Sequence, residues 1–222
     1  MCARLYVRHL ALFLLLAGLL VVPFDVILLV IVNSGHASSL SSAQSTELII
    51  SGLVDVMLVI PVVSALQVHA VALAGEGESP HLGSTLRRAL PALPVVVAAS
   101  IIAAIGFVAG LVLLVLPGIW LWLRLYVVAQ TAAIEGGDWP TALRRSFALT
   151  RGSTWRVLGL LIVVYLINLT LQNVAGATAG SATTTLQDIV VVVIGLLSQS
   201  FSGLLGALLY FDLRAREAAA VA

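Results

Sequence analysis

Three charged residues interrupt otherwise apolar runs of the sequence: Asp25, Asp55 and Arg124. A charge near the centre of a bilayer costs on the order of 3 kcal/mol on insertion scales, so such a residue needs a partner or a function. Counting about 1.5 Å per residue along each predicted helix, all three come to lie in the outer half of a membrane. The planar guanidinium group of Arg124 could then bind both carboxylates.

This intramembrane polar cluster has three interpretations. It is a group of ion-paired residues that fixes helix packing, a relay for protons or ions, or a pocket for a polar substrate. Alternatively, Arg124 extends to the membrane surface and leaves an aspartate protonated. Pro23 is expected to kink the helix beside Asp25. The cluster motivates an alternative function, that of a small transporter or permease.

A second set of candidate residues consists of arginines in two short segments with the same plan. The sequence "TLRRAL" at 85–90 matches "ALRRSF" at 142–147, which indicates a weak internal duplication. Arginines near an anionic leaflet are attracted to it by about 1 kcal/mol each. The alternative is that these arginines serve only as topology signals. The candidate contacts to lipid phosphate are Arg87, Arg88, Arg144, Arg145, Arg151 and Arg156.

Motifs for catalysis or metal binding are missing from the sequence. The four histidines, at positions 9, 36, 69 and 81, have neither paired spacing nor an HExxH motif, so no metal site is predicted. The single cysteine excludes an internal disulfide framework. There is no GxSxG, P-loop or dinucleotide fingerprint. The sequence therefore predicts a protein that is not an enzyme and has no cofactor.

The composition predicts an integral membrane protein. Hydrophobic residues make up 61% of the 222 residues and charged residues only 9%, whereas a soluble domain carries about 25% charge. The net charge of +1 gives no field that would attract nucleic acid. A membrane-spanning helix needs about 20 apolar residues. Six such spans are predicted, at about 10–33, 48–74, 91–116, 119–135, 157–175 and 186–211.

The boundaries between these spans set the predicted topology. A turn at Pro117-Gly118 is expected between the third and fourth spans, because proline lacks a donor and glycine permits a tight reversal. Since 119–135 is short, a re-entrant segment is the alternative there. With six spans, the arginines outside the spans all lie on one side, and the positive-inside rule places both termini in the cytoplasm. Trp120 and Trp122 are then expected near the outer membrane surface.

The two arginine segments predict amphipathic helices in the plane of the membrane, at about 80–90 and 139–151 on the cytoplasmic side. Ser79 is expected to cap the first helix and Asp138 the second. Gly152 suits the end of the second helix. An apolar stripe in that helix would face the acyl chains. It consists of Trp139, Leu143, Phe147 and Thr150.

Several polar residues near the ends of the spans are assigned structural roles. Gln67 and His69 are expected to face the membrane surface. Glu135 is expected to pair with a nearby arginine such as Arg144 or Arg145. Hydrogen bonds between helices are expected from Asn168, Gln172, Asp188 and Gln199.

The stretch 116–159 also carries a family resemblance. It contains a Pro-Gly turn, an arginine in the next span (Arg124), a glutamate at that span's end (Glu135) and the helix "ALRRSFALTRG". In these features it resembles a bacterial family of multi-span membrane proteins, homologues of the membrane domain attached to some glycerophosphoryl diester phosphodiesterases. The chain's ending, "LLYFDLRAREA", is similar to theirs. The resemblance implies a six-span bundle in a bacterial inner membrane; without the catalytic domain, it does not imply the phosphodiesterase activity.

Together these observations predict an all-α, polytopic protein of a bacterial inner membrane, with six transmembrane helices and two cytoplasmic interfacial helices. The expected partners are membrane lipids, anionic ones among them, and a protein partner or a second copy of the chain. The predicted function is that of a scaffold, an accessory subunit or an envelope-maintenance factor.

Overall fold

The computed structural model describes residues 10–33, 55, 59–179 and 184–221. In this part of the chain the regular elements are helices, which agrees with the predicted all-α class. A 3-10 turn, Leu90–Ala92, joins the third helix to the fourth. The helices are α1 (Leu10–Asn33), α2 (Ile60–Gly75), α3 (Leu82–Ala89), α4 (Leu93–Leu113), α5 (Val115–Leu125), α6 (Val128–Glu135), α7 (Trp139–Leu149), α8 (Thr154–Ala179) and α9 (Thr184–Val221).

Four helical segments of the described part are long and apolar enough to cross a membrane. They are Leu82–Leu113, Val115–Glu135, Thr154–Leu171 and Val192–Ala219. Two further apolar stretches, Ala11–Phe24 and Ile60–Gly75, are shorter. The four segments correspond to the third to sixth predicted spans, and the predicted total of six is therefore not confirmed.

Helix α2 lies at the centre of the bundle, where it contacts α1, α3, α4, α6 and α9. A helix that is apolar around its whole circumference is expected at such a place. Residues on every side of α2 are buried, from Pro61 to Leu73. The longest helix, α9, packs against α2 and also against α1 and α8. These contacts make α2 and α9 the two helices on which the others assemble.

Gln67 and His69 of α2 are buried, contrary to the sequence prediction. Gln67 is 0% exposed and His69 is 7% exposed, because other helices pack around this part of α2. Gln67 lies against Gly203 of α9, where a Cβ atom would be 2.5 Å from its Oε1. Gln130 of α6 lies against Gly206 in the same way, with its Nε2 2.8 Å from such a Cβ. Two glycines of α9 thus make room for two buried glutamines.

The chain reverses between α4 and α5 at Leu114, three residues before the predicted turn at Pro117-Gly118. Leu114 is extended, with φ −163° and ψ 134°. Pro117 and Gly118 lie inside the first turns of α5, where the missing N–H of proline leaves no hydrogen bond unmade. The prediction of a hairpin was correct, but its position was wrong because proline is equally compatible with a helix start.

The two arms of this hairpin are in backbone contact. A Cβ atom added at Gly110 would lie 2.9 Å from the Cα atom of Gly118, and one added at Gly118 would lie 2.7 Å from the backbone N of Leu111. Only glycine permits such an approach. At the tip, the apolar side chains of residues 112–116 are between 61% and 81% exposed. An apolar surface of this kind is typical of contact with lipid or another protein.

The starts of α3 and α7 differ from the predicted caps. The residue preceding α3 is His81, not Ser79, and its backbone N–H donates to the Ser84 hydroxyl at 3.4 Å. Helix α7 does begin after Asp138, but the side chain of Asp138 makes no capping hydrogen bond. Its backbone carbonyl instead accepts from the N–H of Ala142 at 3.1 Å. The backbone of α7 therefore closes its own first turn.

We expect Gly118→Ala to lower the stability of the protein by about 1–3 kcal/mol, because the added methyl group overlaps the backbone of α4. The midpoint of thermal unfolding in detergent would measure the loss. Gly159→Ala is the matched control, since a Cβ atom there meets nothing within 4 Å and alanine favours a helix by up to about 1 kcal/mol. An equal effect of both substitutions would contradict the close approach of α4 and α5.

Candidate functional site

The second arginine segment, α7, packs against α6 and the end of α5. The hydroxyl of Thr131 in α6 donates to the carbonyl of Ala142 at 3.1 Å. The hydroxyl of Ser146 donates to the carbonyl of Arg124 in α5 at 2.8 Å. Ala142, Ser146 and Leu149 are buried on this side of α7. The small residues of α7 therefore pack against the bundle. The prediction considered only the apolar stripe of α7 and did not include this contact.

Arg124 of α5 lies beside α7. Its Nη1 donates to the carbonyl of Phe147 at 3.3 Å, and its Cζ lies 5.1 Å from the ring centroid of Trp120. The rings of Trp120 and Phe147 meet edge to face, with centroids 6.0 Å apart. Trp120 and α7 therefore lie at one level of the protein. The prediction that they occupy opposite membrane surfaces was wrong, because sequence spacing does not show that α7 folds back along α5.

The predicted cluster of Asp25, Asp55 and Arg124 remains a prediction. The side chain of Asp25 lies outside the described part of the structure. Asp55 accepts a hydrogen bond from Nε2 of Gln199 in α9 at 3.3 Å, while the contacts described for Arg124 involve α7 and Trp120. The bond from Gln199 agrees with its predicted role between helices.

Asn168 also has its predicted role. Its Nδ2 donates to the hydroxyl of Ser202 at 3.2 Å, which joins α8 to α9. The side chain of Gln172 and that of Asp188 lie outside the described part of the structure.

Arg145 of α7 is held by two carboxylates. Its Nε donates to Oε2 of Glu135 at 2.6 Å, and its Nη1 and Nη2 donate to the two oxygens of Glu217 at 2.6 Å each. The hydroxyl of Tyr210 donates to the other oxygen of Glu135 at 3.0 Å. We call these four residues the Arg145 cluster. It joins α6, α7 and α9, and it confirms the predicted pairing of Glu135 with a nearby arginine.

The electrostatics of the cluster keep Arg145 charged. The hydrogen bonds that Arg145 donates to Glu217 raise the pKa of Arg145 further above its usual value; burial acts in the opposite direction, and the bond to Glu135 raises the pKa as well. Sequence reasoning missed Glu217 and Tyr210, which are 72 residues from Arg145 and 75 from Glu135, respectively. The only signal in the sequence was the presence of charged and aromatic residues near the end of an apolar helix.

The two arginine segments share one arrangement in the structure. In each, the second arginine pairs with a glutamate at the end of the preceding helix: Arg88 with Glu76 at 2.9 Å, and Arg145 with Glu135. The first arginine, Arg87 or Arg144, is exposed. The flanking positions are buried in both segments, namely Thr85 and Ala89 in α3 and Ala142 and Ser146 in α7. The sequence match therefore reflects a common local structure.

The six candidate arginines fall into two groups. Arg88, Arg145 and Arg156 form ion pairs, the last with Asp212 at 4.0 Å. Arg87, Arg144 and Arg151 are exposed and have no ion pair within the described part of the chain. We call these last three the free arginines.

Two open clefts flank the end of α2. The first has a volume of about 630 Å³ and is lined by Arg87, Arg88 and His81 with other residues of α3 and its approach. The second, of about 530 Å³, lies between α2, α6 and α9. Both clefts border the first arginine segment through Arg88, so groups bound there would be close to positive charge.

We expect Arg145→Gln to destabilise the protein by about 2 kcal/mol, because it leaves two partly buried carboxylates without their charged donor. Arg144→Gln is the matched control and should change stability by less than about 0.5 kcal/mol. Thermal unfolding in detergent would compare the two variants. Arg145→Lys should restore little of the lost stability, since an ammonium group cannot reproduce three donors in one plane. Equal unfolding midpoints for the two glutamine variants would contradict the cluster.

Comparison with known proteins identifies a family but no characterised relative. No curated protein and no solved structure matches the chain. A family model described as a domain of unknown function (DUF7847) matches residues 80–213, which is more than half of the 222 residues. The matched region contains both arginine segments. The resemblance to the membrane domain of glycerophosphoryl diester phosphodiesterases remains a prediction. The chain belongs to the DUF7847 family.

Proposed function

We propose that this protein is a non-enzymatic protein of a bacterial inner membrane that binds anionic lipids through its free arginines, Arg87, Arg144 and Arg151. In this role it acts as a scaffold, an accessory subunit or an envelope-maintenance factor. The observation that carries the proposal is the division within each arginine pair, in which one guanidinium group is bound by glutamate and its neighbour is exposed. Family membership and the four helices that could cross a membrane are compatible with it.

The two arginines of each pair therefore have different roles, one in contacts within the protein and one in contact with lipid. The sequence alone did not distinguish these roles. Arg145 holds α7 against the bundle through Glu135 and Glu217, and Arg88 pairs with Glu76 at the surface, so the charge of each is matched by a carboxylate within the protein. Of the free arginines, Arg87 and Arg144 lie on α3 and α7, respectively, and Arg151 follows α7, and they carry charge that the described residues do not match. Each would be stabilised by about 1 kcal/mol near an anionic leaflet. Three such contacts favour anionic over neutral lipid by about 100-fold.

The ion pairs support placing the basic residues of α7, α8 and α9 on the same side of the membrane. Arg145 and Arg156 both contact carboxylates near the end of α9, Glu217 and Asp212. Basic residues gathered at one end of a bundle are typical of the cytoplasmic side. Trp155, which precedes Arg156, is 85% exposed, and tryptophan is enriched at membrane surfaces. We therefore place this end of α9, with the C-terminus, at the cytoplasmic surface.

The transporter alternative has less support from the described contacts. Arg124 donates to a backbone carbonyl of α7 and lies over the ring of Trp120. These contacts fit an arginine that holds α5 against α7. A permease would require Arg124 and the two aspartates to face a common polar pathway.

The triple variant Arg87→Gln, Arg144→Gln, Arg151→Gln tests the proposal. Protein in nanodiscs of mixed phosphatidylglycerol and phosphatidylcholine would be released into native mass spectrometry, and the retained lipids counted. We expect the wild type to retain phosphatidylglycerol selectively and the triple variant to lose most of that selectivity, at unchanged unfolding midpoint. The matched control replaces the same three residues with lysine, which keeps the charge. Unchanged selectivity in the glutamine variant would refute the proposal.

A further inference from the structure

The cleft between α2, α6 and α9 is lined by both apolar and charged side chains. Its volume of about 530 Å³ lies in the range of ordinary small-ligand sites. The walls include Val71, Ile134, Leu208 and Phe211. The lining also includes the charged residues Arg88, Arg214 and Glu76. A ligand that fits this surface has an apolar part and a polar head.

His69 adds a buried polar group to the lining of the cleft. The residue is 7% exposed, and its Nε2 has no hydrogen-bond partner among the described residues. Leaving a buried donor or acceptor without a partner costs about 1–3 kcal/mol. Most buried polar atoms in proteins have a partner, so this one calls for an explanation. Nε2 is itself enclosed, so His69 contributes polarity beside the cleft and not a group that is open to a ligand.

The charges around the cleft favour a single negative charge in the ligand. Arg88 forms an ion pair with Glu76 at 2.9 Å. Arg214 is exposed and has no direct ion pair in the described part of the chain, although it also interacts with Tyr210 and Glu217 of its own helix. The residues that line the cleft include two guanidinium groups and one carboxylate, so the lining carries a net positive charge. Guanidinium groups bind phosphate through parallel N–H donors, which suits the phosphodiester of a lipid headgroup.

We infer that this cleft binds the head of one anionic phospholipid, with Arg214 and Arg88 on its phosphate and part of an acyl chain along the apolar walls. The inference extends the proposed function to one defined lipid, and it uses residues other than the free arginines. A free phosphate ion would leave the apolar walls uncovered, whereas an acyl chain buries them. The bound molecule is therefore a lipid and not its headgroup alone.

The variant Arg214→Gln tests the site, with Arg216→Gln as the matched control. Arg216 lies two residues later on the same helix, pairs with Asp212 at 2.9 Å and does not line the cleft. During stepwise delipidation in native mass spectrometry, the wild type should keep one phosphatidylglycerol molecule after the others are lost. We expect Arg214→Gln to weaken retention of that last lipid about tenfold, and Arg216→Gln to leave it unchanged. Equal retention in all three proteins would overturn the inference.

A second measurement distinguishes a lipid from its headgroup. The unfolding midpoint in detergent would be recorded with inorganic phosphate, with glycerol 1-phosphate and with a short-chain phosphatidylglycerol. We expect only the short-chain lipid to raise the midpoint, and to do so in the wild type but not in Arg214→Gln. Equal stabilisation by inorganic phosphate would overturn the lipid assignment and leave an anion site.

The outcome for the cleft is separable from that for the free arginines. If the triple variant loses selectivity while Arg214→Gln keeps the last lipid, the inference about the cleft is wrong and the proposed function stands. If Arg214→Gln loses the last lipid while the triple variant keeps full selectivity, the cleft is supported and the role of the free arginines is wrong.

Discussion

The ion pairs of Arg145 are the interaction on which the arrangement of the second half of the chain depends. One guanidinium group binds Glu135 at the end of α6 and Glu217 near the end of α9. Two neighbouring helices, α6 and α7, therefore meet the distant α9 at one charged group. Removing one partner would leave unmatched charge in a partly buried place, which is costlier than losing a surface ion pair. The same group also fixes α7, and with it the exposed Arg144.

Within the bundle, close packing depends on small residues that face large polar ones. Gly203 and Gly206 of α9 accommodate the buried side chains of Gln67 and Gln130. Nε2 of Gln130 also donates to the hydroxyl of Ser64 in α2 at 2.6 Å. Helices surrounded by lipid gain little from burying apolar surface against one another, so small residues and hydrogen bonds become the source of specificity. The backbone contact between α4 and α5 likewise depends on small residues, Gly110 and Gly118.

The repeated arginine pair connects this architecture with function. In both copies, a glutamate at the end of a helix fixes the second arginine of the helix that follows, and the first arginine is exposed. A paired arginine has its charge matched within the protein, whereas an exposed one is available to an anionic surface. The cleft beside α2 places Arg88, together with Arg214 of α9, next to apolar walls. Both features suit the chemistry of phospholipids, which combine a phosphate with long apolar chains.

The sequence by itself determined the helical class, the apolar helices, the existence of the α4–α5 hairpin and the kinship of the two arginine segments, because these depend on local composition and spacing. It also indicated a partner for Glu135, which is 10 residues from Arg145. Only the tertiary structure decided that Glu217 completes that site, that Gln67 is buried against Gly203, and that Trp120 lies beside α7. Those outcomes depend on which helices become neighbours, and contacts between residues far apart in sequence leave no periodic pattern from which they could be predicted.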